Sequence, residues 1–222
     1  MIDFQERYKR TILVLGPPNS GKSVFSYLLF KSLRETGNDA ALFDCDVYAP
    51  TFRRTDLLSP LEMKHLYCPS NAEKLEVKVP LLTYQTLVDY NFMAVRETGV
   101  IVMDGMGMYD EKTQDLIRRA RSICVVCRNI LDNEKLMKCN YLKDGKPQHP
   151  FEFYKSKVEK LIKITTFEKA EEGESVFESA NLSANLYALS RDGIVRGELR
   201  SIPRTTYERV SDLREFLLEN WF

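Results

Sequence analysis

Short, wholly apolar runs alternate with longer amphipathic ones over the first 130 residues. Ile12–Leu15, Ala40–Phe43, Val100–Met103 and Ile123–Val126 are each four residues long, and the first three are bounded on both sides by polar or turn residues. Runs of that length predict strands buried on both faces. Between them, Val24, Phe25, Leu28, Leu29 and Leu33 recur at helical spacing and stop at Thr36-Gly37-Asn38-Asp39. Leu81 to Ala94 has helical spacing up to Gly99, with Tyr84, Tyr90 and Phe92 expected in the core. Asp110 to Arg121 predicts an amphipathic helix that turns Leu116, Ile117 and Ala120 inward. Strands of this kind alternating with helices imply a three-layer α/β fold, its mainly parallel sheet flanked by helices.

The remaining stretches are patterned less strongly. Residues 1–10 form a polar lead-in, and Ser59-Pro60-Leu61-Glu62 carries a capping serine, a first-turn proline and a third-position glutamate, a helix start. Residues 68–80, with Pro69 and Pro80, predict an exposed connection. Beyond residue 128 the expected elements are a short helix over Ile130–Lys138, a loop over Cys139–Pro150 and a helix over Phe151–Ile162. Ile164–Phe167 and Leu186–Leu189 predict strands, and Arg191-Asp192-Gly193 turns the latter into Ile194–Leu199 as a β-hairpin. Tyr207–Leu218 predicts a closing helix. No repeat, low-complexity segment or boundary interrupts the chain. The expectation is one domain over 1–222, with a motif-bearing core at about 10–128 and a C-terminal elaboration at about 129–222.

Composition narrows the setting. The 222 residues carry 32 Lys+Arg and 32 Asp+Glu, so no global field draws the chain to nucleic acid or membrane. Hydrophobic residues at 44% and charged residues at 29% fit a globular domain rather than disorder. Five cysteines and a charged N-terminus without an apolar leader point to a reduced, cytoplasmic protein.

The candidate chemistry begins where the first strand ends. Gly16 to Ser23 reads G-P-P-N-S-G-K-S, which fits G-x-x-x-x-G-K-[ST] between an apolar strand and a helix. Gly16 and Gly21 permit backbone conformations that a Cβ obstructs. Loop amides and the helix N-terminus then present positive dipole to a phosphate. The expected phosphate-binding set is Gly16, Pro17, Pro18, Asn19, Ser20, Gly21, Lys22, Ser23 and Val24. Lys22 would reach the β- and γ-phosphates and Ser23 would ligate Mg²⁺. Asp104, at the end of the third apolar run, matches the Walker-B position as the second Mg²⁺ group; Gly107 completes D-x-x-G and offers an amide to the γ-phosphate. Asp44 and Asp46, followed by Pro50-Thr51, could orient a water and support the metal shell, or could form an Asx turn. Lys22, Asp44 and Asp46 are therefore the candidate catalytic residues.

The order of a glycine-lysine loop, D-x-D-x-x-x-P-T after the second strand and hhhhD-x-x-G resembles one branch of the P-loop NTPases. That branch includes MinD/ParA-type ATPases, signal-recognition GTPases and dethiobiotin synthetase, and the likeness covers about residues 10–128. The resemblance implies that Asp44 and Asp46 serve Mg²⁺ and the attacking water. Pro17 and Pro18 stand where the MinD/ParA loop carries its extra lysine, so a lysine shared across a dimer is excluded there; a homodimer as such stays open. The G-P-P-x-S-G-K-S form is also similar to ATPase domains associated with CRISPR accessory proteins of the ring-nuclease type. No N-K-x-D guanine reader follows the fourth strand, where Arg128-Asn129 lies, so ATP is expected over GTP by default.

Other features weigh less. Cys124-x-x-Cys127 with His65-x-x-Cys68 has some metal-ligand character, but residues three apart on a strand face opposite ways, and buried cysteines act as small hydrophobes. Arg53-Arg54 follows the aspartate pair and could assist phosphoryl transfer or be a solvated surface pair. Arg118, Arg119 and Arg121 suit a helix C-terminus. Arg191, Arg196, Arg200, Arg204 and Arg209 enrich the C-terminal third without an RNA-binding pattern. Three functions remain: a Mg²⁺-dependent NTPase, expected to use ATP, acting as a switch or accessory factor to a protein partner; a small-molecule kinase; and a nucleotide sensor that does not hydrolyse.

Overall fold

The four apolar runs become neighbouring strands of one sheet. The computed structural model describes residues 10–48, 50, 52, 58, 60–68, 79–95, 99–128, 132–158, 161–166, 185–190 and 193–198. In chain order these form β1 (Thr11–Leu15), α1 (Lys22–Glu35), β2 (Ala40–Asp44), β3 (Leu66–Tyr67), α2 (Leu81–Ala94), β4 (Val100–Asp104) and α3 (Glu111–Arg119). There follow β5 (Ser122–Arg128), α4 (Asn133–Lys138), β6 (Leu142–Lys143), β7 (Lys146–Pro147), α5 (Pro150–Lys155), β8 (Ile162–Thr166), β9 (Asn185–Ser190) and β10 (Gly193–Glu198). The eight-stranded sheet has the order β10-β9-β8-β5-β1-β4-β2-β3. Pairings from β8 through β3 are all parallel, whereas β8–β9 and β9–β10 are antiparallel. The hairpin expected from Arg191-Asp192-Gly193 is thus an edge ribbon on a parallel sheet.

Alternation along the strands divides the core in two. Ile12 and Val14 face one side with Leu42, Val102 and Val126, and α1 covers them with Phe25, Leu28, Leu29 and Leu33. Leu13 and Leu15 face the other side with Phe43, Met103 and Val125. There Tyr84, Val88 and Phe92 of α2, Leu116 of α3, Leu136 of α4 and Phe153 and Tyr154 of α5 close the layer. Full burial of such side chains contributes roughly 1.5–3 kcal/mol each, so a sheet enclosed from both sides is the favoured solution. The result is the three-layer α/β arrangement, and the C-terminal ends of β1, β2 and β4 emerge side by side along one rim, where ligands bind in open parallel sheets.

Several elements differ from expectation. Tyr90 is 71% exposed rather than in the core. The buried residues of α2 fall at 84, 88 and 92, and a residue six positions from Tyr84 points well away from that stripe. The helix expected over Phe151–Ile162 ends at Lys155, because Ile162 already belongs to β8. In place of an open loop before it, β6 and β7 form a small hairpin turned at Asp144 and Gly145, both at positive φ (51° and 74°), the geometry of a tight two-residue connection. Past Pro60 the chain makes a four-residue 3-10 turn, Glu62–His65, instead of an α-helix. The lead-in over 1–9, Thr51, Arg53-Arg54, Ser59, residues 69–78 of the connection, Arg191-Asp192 and the closing helix over Tyr207–Leu218 lie outside the described residues.

Candidate functional site

The site is built from the first strand outward. β1 runs between β4 and β5, and its last residue is followed by Gly16 at φ 148°. A Cβ at Gly16 would lie 1.9 Å from the Val126 carbonyl oxygen, so only glycine lets the chain leave the sheet here. Asn19 (φ 61°) and Gly21 (φ 90°) take left-handed conformations, and the Ser20 amide donates to the Pro17 carbonyl at 3.3 Å. The loop thereby curls back on itself before α1 starts. Gly21 caps that helix without a side chain, and no acidic residue lies in its first turn. Its positive end therefore meets the loop without a carboxylate of its own to neutralise it. Lys22 is buried, with Nζ donating to the Pro17 carbonyl at 3.4 Å across the loop it follows.

Asp104 closes the site from β4. Its carboxylate is wholly buried and accepts two hydroxyls from one face of α1: Ser23 Oγ donates to Oδ2 at 2.7 Å and Ser26 Oγ to Oδ1 at 2.9 Å. Burial pushes the Asp104 carboxyl up to about 6, while Lys22 and the two serine hydroxyls hold it from rising further. Asp44 stands opposite it in register on β2. Burial first, and the neighbouring Asp104 charge second, push Asp44 up to about 8; the Phe52 and Asp46 amides pull the other way. Asp44 Oδ2 accepts from the Phe52 amide at 3.0 Å, and Oδ1 is buried without a hydrogen-bond partner among the described residues.

Two loops border these carboxylates. Asp46, half-buried, uses Oδ1 to accept the Tyr48 amide at 2.9 Å, the geometry of an Asx turn. Tyr48 then donates its hydroxyl to Asp110 Oδ2 at 2.9 Å, while Asp110 Oδ1 caps α3 by accepting the Thr113 amide at 2.9 Å. The loop after β2 is thus tied to the loop after β4. From the other side, the Tyr141 hydroxyl donates to the Gly107 carbonyl at 3.3 Å, the Tyr109 amide to the Cys139 carbonyl at 2.9 Å, and Asn140 Nδ2 to the Tyr109 carbonyl at 3.2 Å. Gly107 abuts the glycine loop itself: a Cβ there would lie 2.7 Å from Pro18 Cγ.

The structure therefore gathers Gly16–Ser23, Val24, Asp44, Asp46, Asp104 and Gly107 on one rim. It does not gather the cysteines and histidine. Cys124 and Cys127 are buried on β5, whereas His65 and Cys68 lie next to β3, with β1, β4 and β2 between. Arg119 is engaged by Asp115 at 2.7 Å and by Asp89, a structural role. Ser26, Tyr141 and the tie from Tyr48 to Asp110 are not legible in the sequence pattern. Ser26 had one available signal, a poor helix former on the apolar side of an amphipathic helix; the two tyrosines act through contacts distant in sequence.

Among the described residues, no group of three or more His, Cys, Asp and Glu side chains is gathered to hold a metal unaided. The oxygen donors Ser23 and Asp104 suit a hard cation that takes most of its remaining ligands from water and substrate phosphates. None of the helices among the described residues is long and apolar enough to cross a membrane. In comparison with known proteins, no family model matches the chain and no curated protein is significantly similar to it.

Proposed function

We propose that this rim is the site of a Mg²⁺-dependent nucleoside triphosphatase of the P-loop class, using ATP and working as a switch or accessory factor to a protein partner. One observation carries the reading: a strand–glycine loop–helix whose Lys22 overlies the loop and whose Ser23 is hydrogen-bonded to the buried strand-end carboxylate of Asp104. Loop amides and Lys22 would bind the phosphates, replacing the contact Lys22 makes with Pro17. Ser23 and Asp104 would hold Mg²⁺, which when bound neutralises charge on the phosphate oxygens. Asp46, the more accessible of the two loop carboxylates, would orient the attacking water. Asp44, sealed beneath the Phe52 amide, would shape the field around it.

A second reading has its own support. The buried Oδ1 of Asp44 lacks a donor among the described residues, and a hydroxyl would supply one, as in a kinase acting on a small hydroxyl acceptor. Phosphate release from Mg²⁺-ATP, with and without a pool of hydroxyl-bearing metabolites, separates the two. The NTPase predicts release by the protein alone, abolished in Lys22→Ala. The kinase predicts ADP formation only with one acceptor. Tight binding with neither product would leave a nucleotide sensor.

A further inference from the structure

Ser26 has no place in the glycine-loop motif, yet it is wholly buried in α1 and engages the same carboxylate as Ser23. Serine inside a helix is a poor helix former, and its hydroxyl commonly turns back to a carbonyl one turn earlier. Here it instead crosses to β4. Ser23 and Ser26 are three residues apart, hence on one helix face, and each takes one oxygen of Asp104. Their duties differ. A hydroxyl has one hydrogen and two lone pairs, so Ser23 can donate to Oδ2 and still offer a lone pair to a cation. That geometry is useful only while Oδ2 stays where it is, and the bond from Ser26 to Oδ1 fixes the rotation of the carboxylate.

Resting on the nucleotide reading above, we infer that Ser26 is a positioning residue for cation capture: it locks the Asp104 carboxylate so that Ser23 Oγ and Asp104 present a preformed pair to the cation that accompanies the nucleotide. Ser26 touches neither phosphate nor metal, and it acts only through Asp104. Its loss leaves Oδ1 without a donor among the described residues and the carboxylate able to turn. The effect therefore falls on the cation-dependent part of nucleotide binding and spares the part made by the loop amides and Lys22.

The test measures the affinity of a non-hydrolysable ATP analogue in Mg²⁺ and in EDTA for wild type, Ser26→Ala and Ser26→Thr, with thermal melting of each. The ratio of the two affinities should fall about tenfold in Ser26→Ala, the worth of one hydrogen bond to a charged group. Affinity in EDTA should hold, and Ser26→Thr, which keeps the hydroxyl, should restore the ratio. Should Ser26→Ala fail to melt cooperatively, Ser26→Cys keeps the volume with a much weaker donor and should show the same fall. A wild-type ratio in Ser26→Ala or Ser26→Cys would overturn the inference and leave the nucleotide reading standing. No gain from Mg²⁺ in wild type itself would remove both.

Discussion

Replacing Asp44 by asparagine should make the ligand-free protein more stable at alkaline pH. Asp44 is buried beside Asp104, and its carboxyl is pushed from 3.8 to about 8. The folded state therefore binds a proton that the unfolded chain has already released between those values. Stability falls with pH wherever the folded state binds more protons. This contribution is fully present below pH 3.8 and is lost as pH rises toward 8. Between pH 6 and pH 8 the unfolded group is ionised throughout while the folded group passes to half-ionised, which amounts to a loss of roughly 2 kcal/mol at about 1.4 kcal/mol per pH unit and proton. The asparagine amide would keep an acceptor for the Phe52 amide and carry no charge, so Asp44→Asn should lose little over the same window. Urea unfolding of the ligand-free protein at pH 6, 7 and 8 measures both slopes. An equal loss of stability in wild type and variant between pH 6 and 8 would refute the proposition that Asp44 is held protonated by burial.

Other perturbations should separate loop shape from loop chemistry. Gly16→Ala drives a Cβ into the Val126 carbonyl and should cost at least about 3 kcal/mol in thermal or urea unfolding. Gly107→Ala presses on Pro18 rather than on the sheet, so it should weaken Mg²⁺-ATP binding in calorimetry with a smaller change in melting temperature. Tyr141→Phe removes the donor to the Gly107 carbonyl and the acceptor of the Tyr154 hydroxyl, both buried. It should destabilise by about 1–3 kcal/mol and speed amide exchange at Tyr109. Tyr48→Phe breaks the tie to Asp110 on an exposed ring and should change stability by under about 1 kcal/mol; a larger loss would mean that this tie holds more than two loops together.

The central part of the fold was legible because its signals are local. Four short apolar runs could bury both faces only within a covered parallel sheet, and each became a strand of it. Gly16 and Gly21 stand where the backbone needs them, and Asp104 falls at the tip of its strand beside Ser23. What escaped depends on partners distant in the chain. Ser26 is an ordinary helical serine until β4 arrives 78 residues later. The spacing of Asp46 suits either a catalytic group or an Asx turn, and the turn is formed. Tyr90 and Phe92 share one apolar composition, and only their angles around α2 decide that one is exposed and the other buried. The helix expected over Phe151–Ile162 ends at Lys155, since Ile162 continues its apolar spacing but pairs with Cys124 on β5.

The nucleotide site is tested most directly by calorimetric titration of wild type and Lys22→Ala with a non-hydrolysable ATP analogue in Mg²⁺. Saturable binding to wild type at one site is expected, with loss of about tenfold or more in the variant, provided that the variant still melts cooperatively before titration. Equal affinity in the two proteins, or no binding to wild type, would contradict the assignment of the Gly16–Ser23 loop as a nucleotide site.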